Sequence, residues 1–466
     1  MTGGCDRPVD AVWGGPGRSP SPVVSRTVPH RHPRLLSTVM GGANRVIPAR
    51  GSTRHRPARF ATACFGAVGI VVASSLVTSC STSVTQVVHE RPPRVVTVTI
   101  PSHGMVTSKW LSHSGQPRAD VLLPAGYTRS KSYPLLVLLH GAASPYSWYV
   151  QAGLTDVFAH LNAIVVTPPG GTGWYTNWWN NGERGDPSWE SYELEEVIPT
   201  ILAKYRILPQ RRYHAIAGIS MGGLGAPFLG GRLPGFFGSV AILSGYVDPQ
   251  LQQGLVNIMG ILSLAAPKGD LDPNPVDGPS TGFYADGHNP TRLAMNLKQT
   301  RVFETAGTGV VSSADKAAGT IPTETVGLVE EGKIIYPMSE AMHRALVSAG
   351  VDVTYQVHPG GHLVPDFRGE LEAMLAWGLF KPVPTDPSSW TNDTVATGGK
   401  LWSVAYRFAR APDQVVRFHQ SRSLLSISAA GSEVTVTAGH CTVRSATPVE
   451  IDIRACHAVR GRSPSP

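Results

Sequence analysis

The stretch that decides the fold reads Ala215-Ile216-Ala217-Gly218-Ile219-Ser220-Met221-Gly222-Gly223-Leu224-Gly225. An apolar run that is typical of a strand leads into Gly-x-Ser-x-Gly, and small residues that can open a helix follow it. This order of strand, sharp turn and helix is the nucleophile elbow, which exposes its serine at the end of a strand. Because a chain with 50 glycines also contains this motif by chance, the elbow needs support from the rest of the sequence.

Apolar segments on both sides of the elbow predict an alternation of strands and helices. Strands are predicted at Val96–Ile100, Ala119–Leu123, Leu135–Leu139, Ala163–Thr167, Gly238–Leu243, Arg301–Thr305 and Val351–Val357. Helices are predicted at Glu190–Tyr205, Ser339–Ser348 and Glu370–Phe380, the first with a kink at Pro199. Residues 96–380 are therefore expected to form an α/β domain, with a mostly parallel central sheet and helices on both faces.

A second, smaller domain is predicted after residue 380. Residues 381–400 contain three prolines and several Ser and Thr residues, which is typical of a linker. From 401 to 460, apolar residues recur at every second position in short segments separated by Gly, Ser and Pro. We therefore expect a small all-β domain at 401–460 and a polar tail at 461–466.

The net charge of +8 lies entirely in the first 59 residues, which hold ten arginines and two aspartates. These residues are also rich in Pro, Gly and Ser, a composition that predicts a disordered basic leader. The remaining chain carries equal numbers of acidic and basic side chains, so nucleic-acid binding is not expected.

An uncharged apolar run, Phe60–Val77, follows three arginines and ends in Val77-Thr78-Ser79-Cys80. A basic segment, an apolar segment and small residues form an export signal. The last four residues resemble a bacterial lipobox, in which Cys80 would be lipidated after cleavage. The alternative for residues 60–80 is an uncleaved single-span membrane anchor. Both interpretations place the tether at 81–95 and all that follows outside the cytoplasm, in the cell envelope or secreted.

The cysteines fit an exported protein. Cleavage at Cys80 removes Cys5 and Cys64 and leaves Cys441 and Cys456 as a pair in an oxidising compartment. We expect these two to form a disulfide, which would add roughly 3 kcal/mol to the free energy of unfolding. Two free buried thiols are the alternative.

Five motifs occur in an order that one known family shares. They are Leu135–Gly141, Trp174-Tyr175-Thr176-Asn177-Trp178, Trp189-Glu190-Ser191-Tyr192, the elbow, and Gly360-Gly361-His362. Through them, residues 100–380 resemble the esterase-D/mycolyltransferase branch of the α/β hydrolases, which includes the secreted antigen 85 mycolyltransferases. The resemblance implies an α/β-hydrolase fold and a serine esterase or acyltransferase that acts through an acyl-enzyme.

His362 is the candidate general base for Ser220. It lies in a Gly-Gly-His turn after a predicted strand, and it follows the serine, as the hydrolase order of Ser, acid and His requires. Imidazole is also the side chain best suited to accept a proton near neutral pH. His358 is the alternative base. His140 matches a position that supports the oxyanion loop in the family, and His214 is expected to be structural.

The third member of the triad is harder to assign. Hydrolases usually place the acid after the strand that here ends near Thr305, but the next residues, 306–311, contain no carboxylate. In the mycolyltransferases a glutamate in the following helix supplies the acid, and Pro337-Met338-Ser339-Glu340-Ala341-Met342 matches that helix. The resemblance therefore assigns the acid to Glu340, with Asp315 second and Glu330 third. An ordinary solvated helix glutamate is the alternative for Glu340.

The oxyanion hole requires two backbone N–H groups that point at the developing negative charge. The residue after the nucleophile, Met221, is expected to supply one, and Ala142 in the loop after an early strand the other.

The resemblance also assigns aromatic residues to the substrate site, namely Trp148, Trp174 and Trp178, with ordinary packing as the alternative for each. The mycolyl-transferring members have Ser-Trp after the catalytic histidine, and that tryptophan touches trehalose. This chain has Leu363-Val364 there, which argues against trehalose as the acceptor.

Two classes of function follow from the sequence. The first is an exported serine hydrolase or acyltransferase that acts on acyl esters of lipid or glycolipid type, without a cofactor or metal. The second is a catalytically inactive hydrolase-fold protein that binds a cell-envelope glycolipid or a protein partner. The presence of Ser220, His362 and a candidate acid favours the enzyme.

Overall fold

The computed structural model describes residues 92–106, 117–142, 144–180, 188–251, 276–319 and 325–459. The basic leader, the export segment with Cys80, most of the tether and the polar tail lie outside these residues. The expectations about them therefore stay predictions.

The described part of the α/β domain is built on one eight-stranded sheet. Its strands are β1 (Arg94–Thr99), β2 (Arg118–Leu123), β3 (Leu135–Leu139), β4 (Ile164–Thr167), β5 (His214–Ile219), β6 (Ser239–Leu243), β7 (Arg301–Gly307) and β8 (Asp352–His358). Their order across the sheet is β1-β2-β4-β3-β5-β6-β7-β8. The last six strands in this order are parallel to one another, and β2 is antiparallel to both of its neighbours, β1 and β4. The mostly parallel sheet confirms the predicted α/β-hydrolase fold.

Alternate side chains of the central strands belong to different cores. In β3, Leu135, Val137 and Leu139 pack into one apolar cluster, whereas Leu136 and Leu138 pack into a second one. All five residues of this strand are buried because helices cover both faces of the sheet. The continuous apolar run in the sequence is thus explained by burial on two sides, and β5 with the elbow lies beside β3 in the sheet centre.

The described helices are α1 (Trp148–Gln151), α2 (Trp189–Tyr192), α3 (Ile198–Lys204), α4 (Met221–Arg232), α5 (Phe283–Asp286), α6 (Ser313–Ala318), α7 (Thr325–Glu330), α8 (Tyr336–Ala349) and α9 (Val364–Trp377). Short 3₁₀ segments occur at Thr155–Phe158, Arg211–Tyr213 and Ala294–Leu297, and π-helical segments at Glu193–Val197 and Glu331–Ile335.

Each π-helical segment precedes a proline. Pro199 lies at the start of α3 and Pro337 at the start of α8, each just after its π segment. Proline has no N–H, and its ring clashes with the carbonyl of the residue four positions earlier. That residue is 195 for Pro199 and 333 for Pro337, and each lies inside the π segment. The wider π turn relieves this conflict. The predicted helix 190–205 is therefore split, and the predicted helix 339–348 belongs to a longer helical stretch, 325–349.

Two antiparallel sheets form the C-terminal domain, which confirms the predicted all-β fold. One sheet contains β10 (Gly398–Leu401), β11 (Val404–Phe408), β14 (Glu433–Ala438) and β15 (Cys441–Ala446), and the other contains β9 (Ser389–Thr394), β12 (Val416–Ser421), β13 (Leu424–Ile427), β16 (Val449–Asp452) and β17 (His457–Val459). Side chains such as Tyr406 and Phe418 fill the core between them. A disulfide joins Cys441 to Cys456, whose Cα atoms lie 5.2 Å apart.

The predicted linker, 381–400, is wrong in its second half, because β9 and β10 lie there. The β9 strand was missed since its buried residues include polar ones such as Asn392 and Thr394. Asn392 is buried against the α/β domain, where its amide donates to the carbonyl of Gly231 at 2.9 Å. An alternation of apolar residues therefore does not mark this strand.

Arg232 forms a buried ion pair within the α/β domain and also contacts the C-terminal domain. Arg232, at the end of α4, donates from Nε to Glu190 Oε1 at 2.5 Å, and from its other nitrogens to the Tyr406 hydroxyl and the Gly398 carbonyl, each at 3.2 Å. Both charged side chains of the pair are almost fully buried. Burial raises the pKa of Glu190, but the charge of Arg232 outweighs burial and lowers this pKa to about 2. The carboxylate therefore stays ionised.

Replacing Arg232 with methionine should therefore destabilise the protein strongly. The change leaves the Glu190 carboxylate buried without its cation, which costs about 3–5 kcal/mol of unfolding free energy. Urea denaturation followed by circular dichroism measures this loss. The matched control is Arg444→Met, which breaks the exposed Arg444–Glu433 pair and should change stability little. Equal denaturation midpoints for the two variants would contradict this account of the interface.

Within the described ranges, no helix is long and apolar enough to cross a membrane.

Candidate active site

Ser220 occupies the strained turn between β5 and α4. Its backbone has φ 60° and ψ −120°, a conformation that costs a non-glycine residue about 1–3 kcal/mol. The Ser220 N–H donates to the Leu243 carbonyl of β6 at 3.1 Å, which fixes the turn against the neighbouring strand. The predicted nucleophile elbow is thus present, with the serine directly before the N-terminus of α4.

Two glycines of the motif permit this turn. A Cβ at position 218 would collide with the backbone of Gly222, and a Cβ at position 222 would collide with the Leu139 carbonyl at the end of β3. Both contacts involve backbone atoms that a side-chain rotation cannot move. The two glycines therefore let the start of α4 pack against the ends of β5 and β3.

His362 follows β8 in a loop that the backbone holds on both sides. Its N–H donates to the Gly327 carbonyl at 2.9 Å, and the preceding Gly361 N–H donates to Asp366 at 2.8 Å. The ring is almost fully buried, and its edge contacts Tyr246 and Phe367 with centroids 6.2 and 5.0 Å away. The imidazole is therefore fixed in position by both backbone and packing.

Glu331 is the carboxylate that contacts His362. The Nδ1 atom of His362 lies 2.8 Å from Glu331 Oε2, and the Glu331 side chain is fully buried. The other oxygen, Oε1, accepts hydrogen bonds from the Ser244 hydroxyl at 2.8 Å and from the Gly307 N–H at 2.9 Å. Since a carboxylate only accepts hydrogen bonds, Nδ1 carries the proton and Nε2 is left to act as the base.

The electrostatics of His362 suit a general base. Burial lowers its pKa, but the hydrogen bond to Glu331 and the charges of Glu330, Glu331 and Glu370 outweigh burial and raise the pKa above 6.5. The Nε2 atom has no hydrogen-bond partner among the described residues and lies 3.9 Å from Glu330 Oε1. The ring nitrogen that would serve the nucleophile is thus available.

Tyr246 contacts both Ser220 and His362. Its N–H donates to the Ser220 carbonyl at 3.3 Å, its ring packs edge-on against His362, and its hydroxyl donates to Glu330. The elbow and the histidine loop are therefore packed against one residue from the segment after β6.

The structure places Glu331, and not Glu340, at Nδ1 of His362. Glu340 does not contact His362; it accepts from the Tyr355 hydroxyl at 3.0 Å and lies 3.5 Å from Arg344, one turn further along α8. Neither of the other two candidates contacts Nδ1 of His362. Asp315 forms the N-terminal capping box of α6 with Ser312 and a hydrogen bond to Asp366. Glu330 accepts from Tyr246 and lies 3.9 Å from the other ring nitrogen, His362 Nε2.

Glu331 was missed because the helix that carries it begins earlier than predicted. The assignment relied on a helix starting at Ser339, whereas the helical stretch begins at Thr325 and contains the π turn at Glu331–Ile335. The signal available in the sequence was Pro337, since a proline within a helix indicates a disturbed turn just before it.

The expected oxyanion loop lies next to the serine. A Cβ at Gly141 would be 3.3 Å from the Cβ of Ser220, so the loop after β3 passes close to the nucleophile. His140 holds this loop: its Nε2 accepts from the Gly170 N–H and its Nδ1 donates to the Gly141 carbonyl, both at 2.8 Å. Burial lowers the pKa of His140 to about 4, so the ring is neutral. Ala142 follows directly in this loop.

Met221 begins α4, so its N–H belongs to the first turn of that helix, where backbone donors lack partners within the helix. The N–H groups of Ala142 and Met221 therefore stay the candidates for the oxyanion hole.

The three candidate substrate tryptophans lie in different surroundings. Trp174 packs edge-on against Tyr246 at 5.8 Å, and Tyr246 in turn contacts His362. Trp148 is partly buried against Phe367, which itself contacts His362. Trp178 is buried and donates from Nε1 to the Gly173 carbonyl at 3.0 Å, which indicates packing.

His358 and His214, the other two histidines considered from the sequence, have partners other than Glu331. His358 contacts Glu370 at 2.9 Å rather than Glu331, and His214 lies between two backbone carbonyls and stacks on Phe236. Within the described ranges, no group of His, Cys, Asp and Glu side chains could hold a metal ion.

A known protein family matches most of the α/β domain. The sequence model of the Esterase family matches residues 112–378, more than half of the chain. The chain belongs to the Esterase family. The matched region begins before β2 and ends after α9, so it contains the elbow, the histidine loop and Glu331.

Two mycobacterial relatives are similar to this region. Esterase Rv1288 of Mycobacterium tuberculosis is 31% identical over 268 residues, which cover 56% of each chain. The diacylglycerol acyltransferase/mycolyltransferase Ag85C of Mycobacterium leprae is 28% identical over 171 residues, covering 35% of this chain and 49% of that protein. The chain thus spans about half the length of these relatives, and the predicted resemblance to antigen 85-like esterases is confirmed.

Among solved structures, MPT51 of Mycobacterium tuberculosis aligns with 62% of this chain and 99% of its own, with 22% sequence identity and a TM-score of 0.48.

Proposed function

We propose that this protein is an exported serine esterase or acyltransferase that acts on acyl esters of lipid or glycolipid type through Ser220, His362 and Glu331. The observation that carries the proposal is the 2.8 Å contact between His362 Nδ1 and the buried Glu331, on a histidine that packs with the nucleophile elbow through Tyr246. The names of its relatives support the class, since they include an esterase and an acyltransferase.

In the proposed reaction, His362 Nε2 removes the proton of Ser220, whose Oγ attacks the ester carbonyl. The N–H groups of Ala142 and Met221 stabilise the oxyanion that forms. Glu331 keeps the proton on Nδ1 and stabilises the imidazolium, which then protonates the leaving alcohol. Water or a second alcohol attacks the acyl-enzyme with His362 again as base, which releases the acid or a new ester and restores Ser220.

Apolar side chains near the histidine loop support an acyl substrate. Val326 and Val329 on α7 are 68% and 53% exposed and flank Leu328, which packs against Gly361. Val364, two residues after His362, is 38% exposed. Exposed aliphatic side chains on the two helices that adjoin the histidine loop favour a substrate with a hydrocarbon chain.

The alternative is a hydrolase-fold protein without activity that binds a glycolipid or a protein partner. The test is turnover of p-nitrophenyl esters of increasing acyl length by the fragment beginning at residue 81. We expect the folded fragment to hydrolyse these esters. If the protein transfers acyl groups, adding glycerol should yield an ester product in addition to the free acid. Turnover no faster than that of Ser220→Ala at all chain lengths would favour the alternative.

The rate should depend on pH through His362, which must be neutral to accept the serine proton. Because its pKa is raised, kcat/KM should fall as the pH drops through a value above 6.5. Removing the nearby charge with Glu330→Gln should shift this acidic limb to lower pH, since Glu330 raises the pKa of His362. The pH profiles of kcat/KM measure both effects.

The matched control for Glu330→Gln is Glu340→Gln, on the same helical stretch but without contact to His362. In this control, the acidic fall of kcat/KM should occur at the same pH as in the wild type. Identical limbs in all three proteins would contradict the assignment of this limb to His362.

We also propose surface tethering of the exported protein at Cys80, on the basis of Val77-Thr78-Ser79-Cys80 after the apolar run. Mass spectrometry of the mature N-terminus should find a lipid-modified Cys80. An unmodified Cys80 within an intact leader would refute lipidation and favour the single-span anchor.

A further inference from the structure

A second histidine–carboxylate pair lies behind the triad and is joined to it by one hydroxyl. The Ser244 hydroxyl lies 2.8 Å from Glu331 Oε1 and 2.7 Å from Glu370 Oε1. The same oxygen of Glu370 lies 2.9 Å from His358 Nε2. Four side chains thus form a continuous hydrogen-bonded chain, which we call the Glu370 network: His358, Glu370, Ser244 and Glu331.

Ser244 is held so that it can contact both carboxylates. It follows β6 with φ 43°, a left-handed conformation that is uncommon for serine, and its N–H donates to the Thr305 carbonyl at 2.9 Å. The residue is fully buried. A non-glycine residue kept in this conformation inside the core indicates a positional requirement on its hydroxyl.

The single proton of Ser244 limits what the network can do. Two ionised carboxylates both need donors, and one hydroxyl can donate to only one of them. Glu331 therefore receives this proton only if another donor serves Glu370. His358 is placed to be that donor, because its Nε2 contacts the same oxygen, Glu370 Oε1.

Charge explains why His358 is needed there. The Glu370 side chain is fully buried, and burial together with the charge of Glu331 raises its pKa to about 7, against the opposing effect of His358 and Ser244. Burial lowers the pKa of His358, but Glu370 and the more distant Asp366 outweigh it and raise the pKa to about 9. At neutral pH the pair therefore retains a proton that offsets a second negative charge beside Glu331.

The titratable groups that face the network from the surrounding elements are Glu330, His362, Asp366 and Tyr149. The outer end of the network is accessible, since the His358 side chain is 30% exposed.

We propose that Glu370 and His358 are positioning residues of the active site, which act on Glu331 through the hydroxyl of Ser244. By holding the Ser244 proton on Glu331, the pair keeps the other Glu331 oxygen directed at His362 Nδ1. This inference rests on the proposed function, because it concerns the orientation of the same triad.

The test is a double-mutant cycle on the full chain with Glu370→Gln and Ser244→Ala. Loss of one hydrogen bond to a charged group should lower kcat about tenfold or more in Ser244→Ala. Glu370→Gln should also lower kcat, but it should have little further effect in the Ser244→Ala background, since both act on Glu331 along one path. KM should change little, because neither residue is placed to touch the substrate.

A second readout does not depend on turnover. Glu370 is one of the charges that raise the pKa of His362, so Glu370→Gln should lower that pKa, as measured by NMR titration of the His362 ring protons. His358→Gln changes the partly exposed end of the network and should lower kcat by a smaller factor. This effect should also be absent when Ser244 is already alanine. The variant keeps the test available if Glu370→Gln does not fold.

The matched control is Glu304→Gln, which removes an equally buried carboxylate on β7 whose partner is the Ser339 hydroxyl. Its effect on kcat should be independent of Ser244→Ala, and it should leave the His362 pKa unchanged. The network is overturned if Glu370→Gln behaves like Glu304→Gln in both readouts. An inactive wild type with the expected shift in the His362 pKa would instead overturn only the proposed function.

Discussion

Replacing Ser220 with alanine is expected to reduce ester turnover to near background. The hydroxyl is the atom that forms the acyl-enzyme, so its loss removes the covalent route, and kcat should fall by roughly 10⁵–10⁶-fold. The elbow itself should remain, because alanine keeps the Cβ and the backbone N–H that donates to Leu243. Progress curves with p-nitrophenyl butyrate, at protein concentrations that allow slow rates to be measured, give the ratio.

The control for this prediction removes a different buried hydroxyl, on the strand next to β5 but at the opposite end from Ser220. Ser239→Ala removes a buried hydroxyl at the start of β6, which donates to the Leu379 carbonyl far from the histidine loop. It should cost stability but leave kcat close to wild type. If Ser220→Ala keeps more than a tenth of the wild-type kcat, Ser220 is not the nucleophile.

The second large effect is expected for Glu331→Gln. Glutamine keeps the shape of the side chain, but its amide can donate toward His362 and then favours the tautomer with the proton on Nε2. The base is lost in that tautomer, and kcat should fall by about 10⁴-fold, as for a triad whose acid becomes an amide. Steady-state kinetics should show the loss in kcat with a smaller change in KM.

Glu340→Gln is the matched comparison, because it makes the same chemical change nine residues further along the helical stretch. Its partners are Tyr355 and Arg344 at a half-exposed position, so kcat should stay near wild type. A large loss in Glu340→Gln with a small one in Glu331→Gln would restore the original assignment and contradict the geometry described above.

The sequence-based placements that agree with the structure are those that depend on local backbone geometry. Ser220 lies in a motif whose glycines are required by close backbone contacts, and these contacts are the same wherever the elbow occurs. His362 was found because its Gly-Gly-His turn follows a strand near the end of the domain. The central strands were also predictable, since burial on both faces demands an unbroken apolar run.

Glu331 could not be identified in this way, because its orientation depends on tertiary structure. Glu330 and Glu331 are neighbours, yet one contacts Tyr246 and the other lies under His362. Successive helical residues point about 100° apart, so the choice between the two carboxylates depends on how this helix packs against the sheet, and the π turn at Glu331–Ile335 changes that direction further. Ser244 and Glu370 are further examples, since they come from separate elements and belong to no local motif.

The central claim is that Ser220 is a nucleophile activated by His362 and Glu331, and the rate of its reaction with a fluorophosphonate tests this most directly. Mass spectrometry of digested protein locates the adduct, and its time course gives the rate constant. The account predicts one adduct on the peptide that contains Ser220, formed much more slowly in Glu331→Gln and at the wild-type rate in Glu340→Gln. An adduct on another residue, or equal rates in wild type and Glu331→Gln, would contradict it.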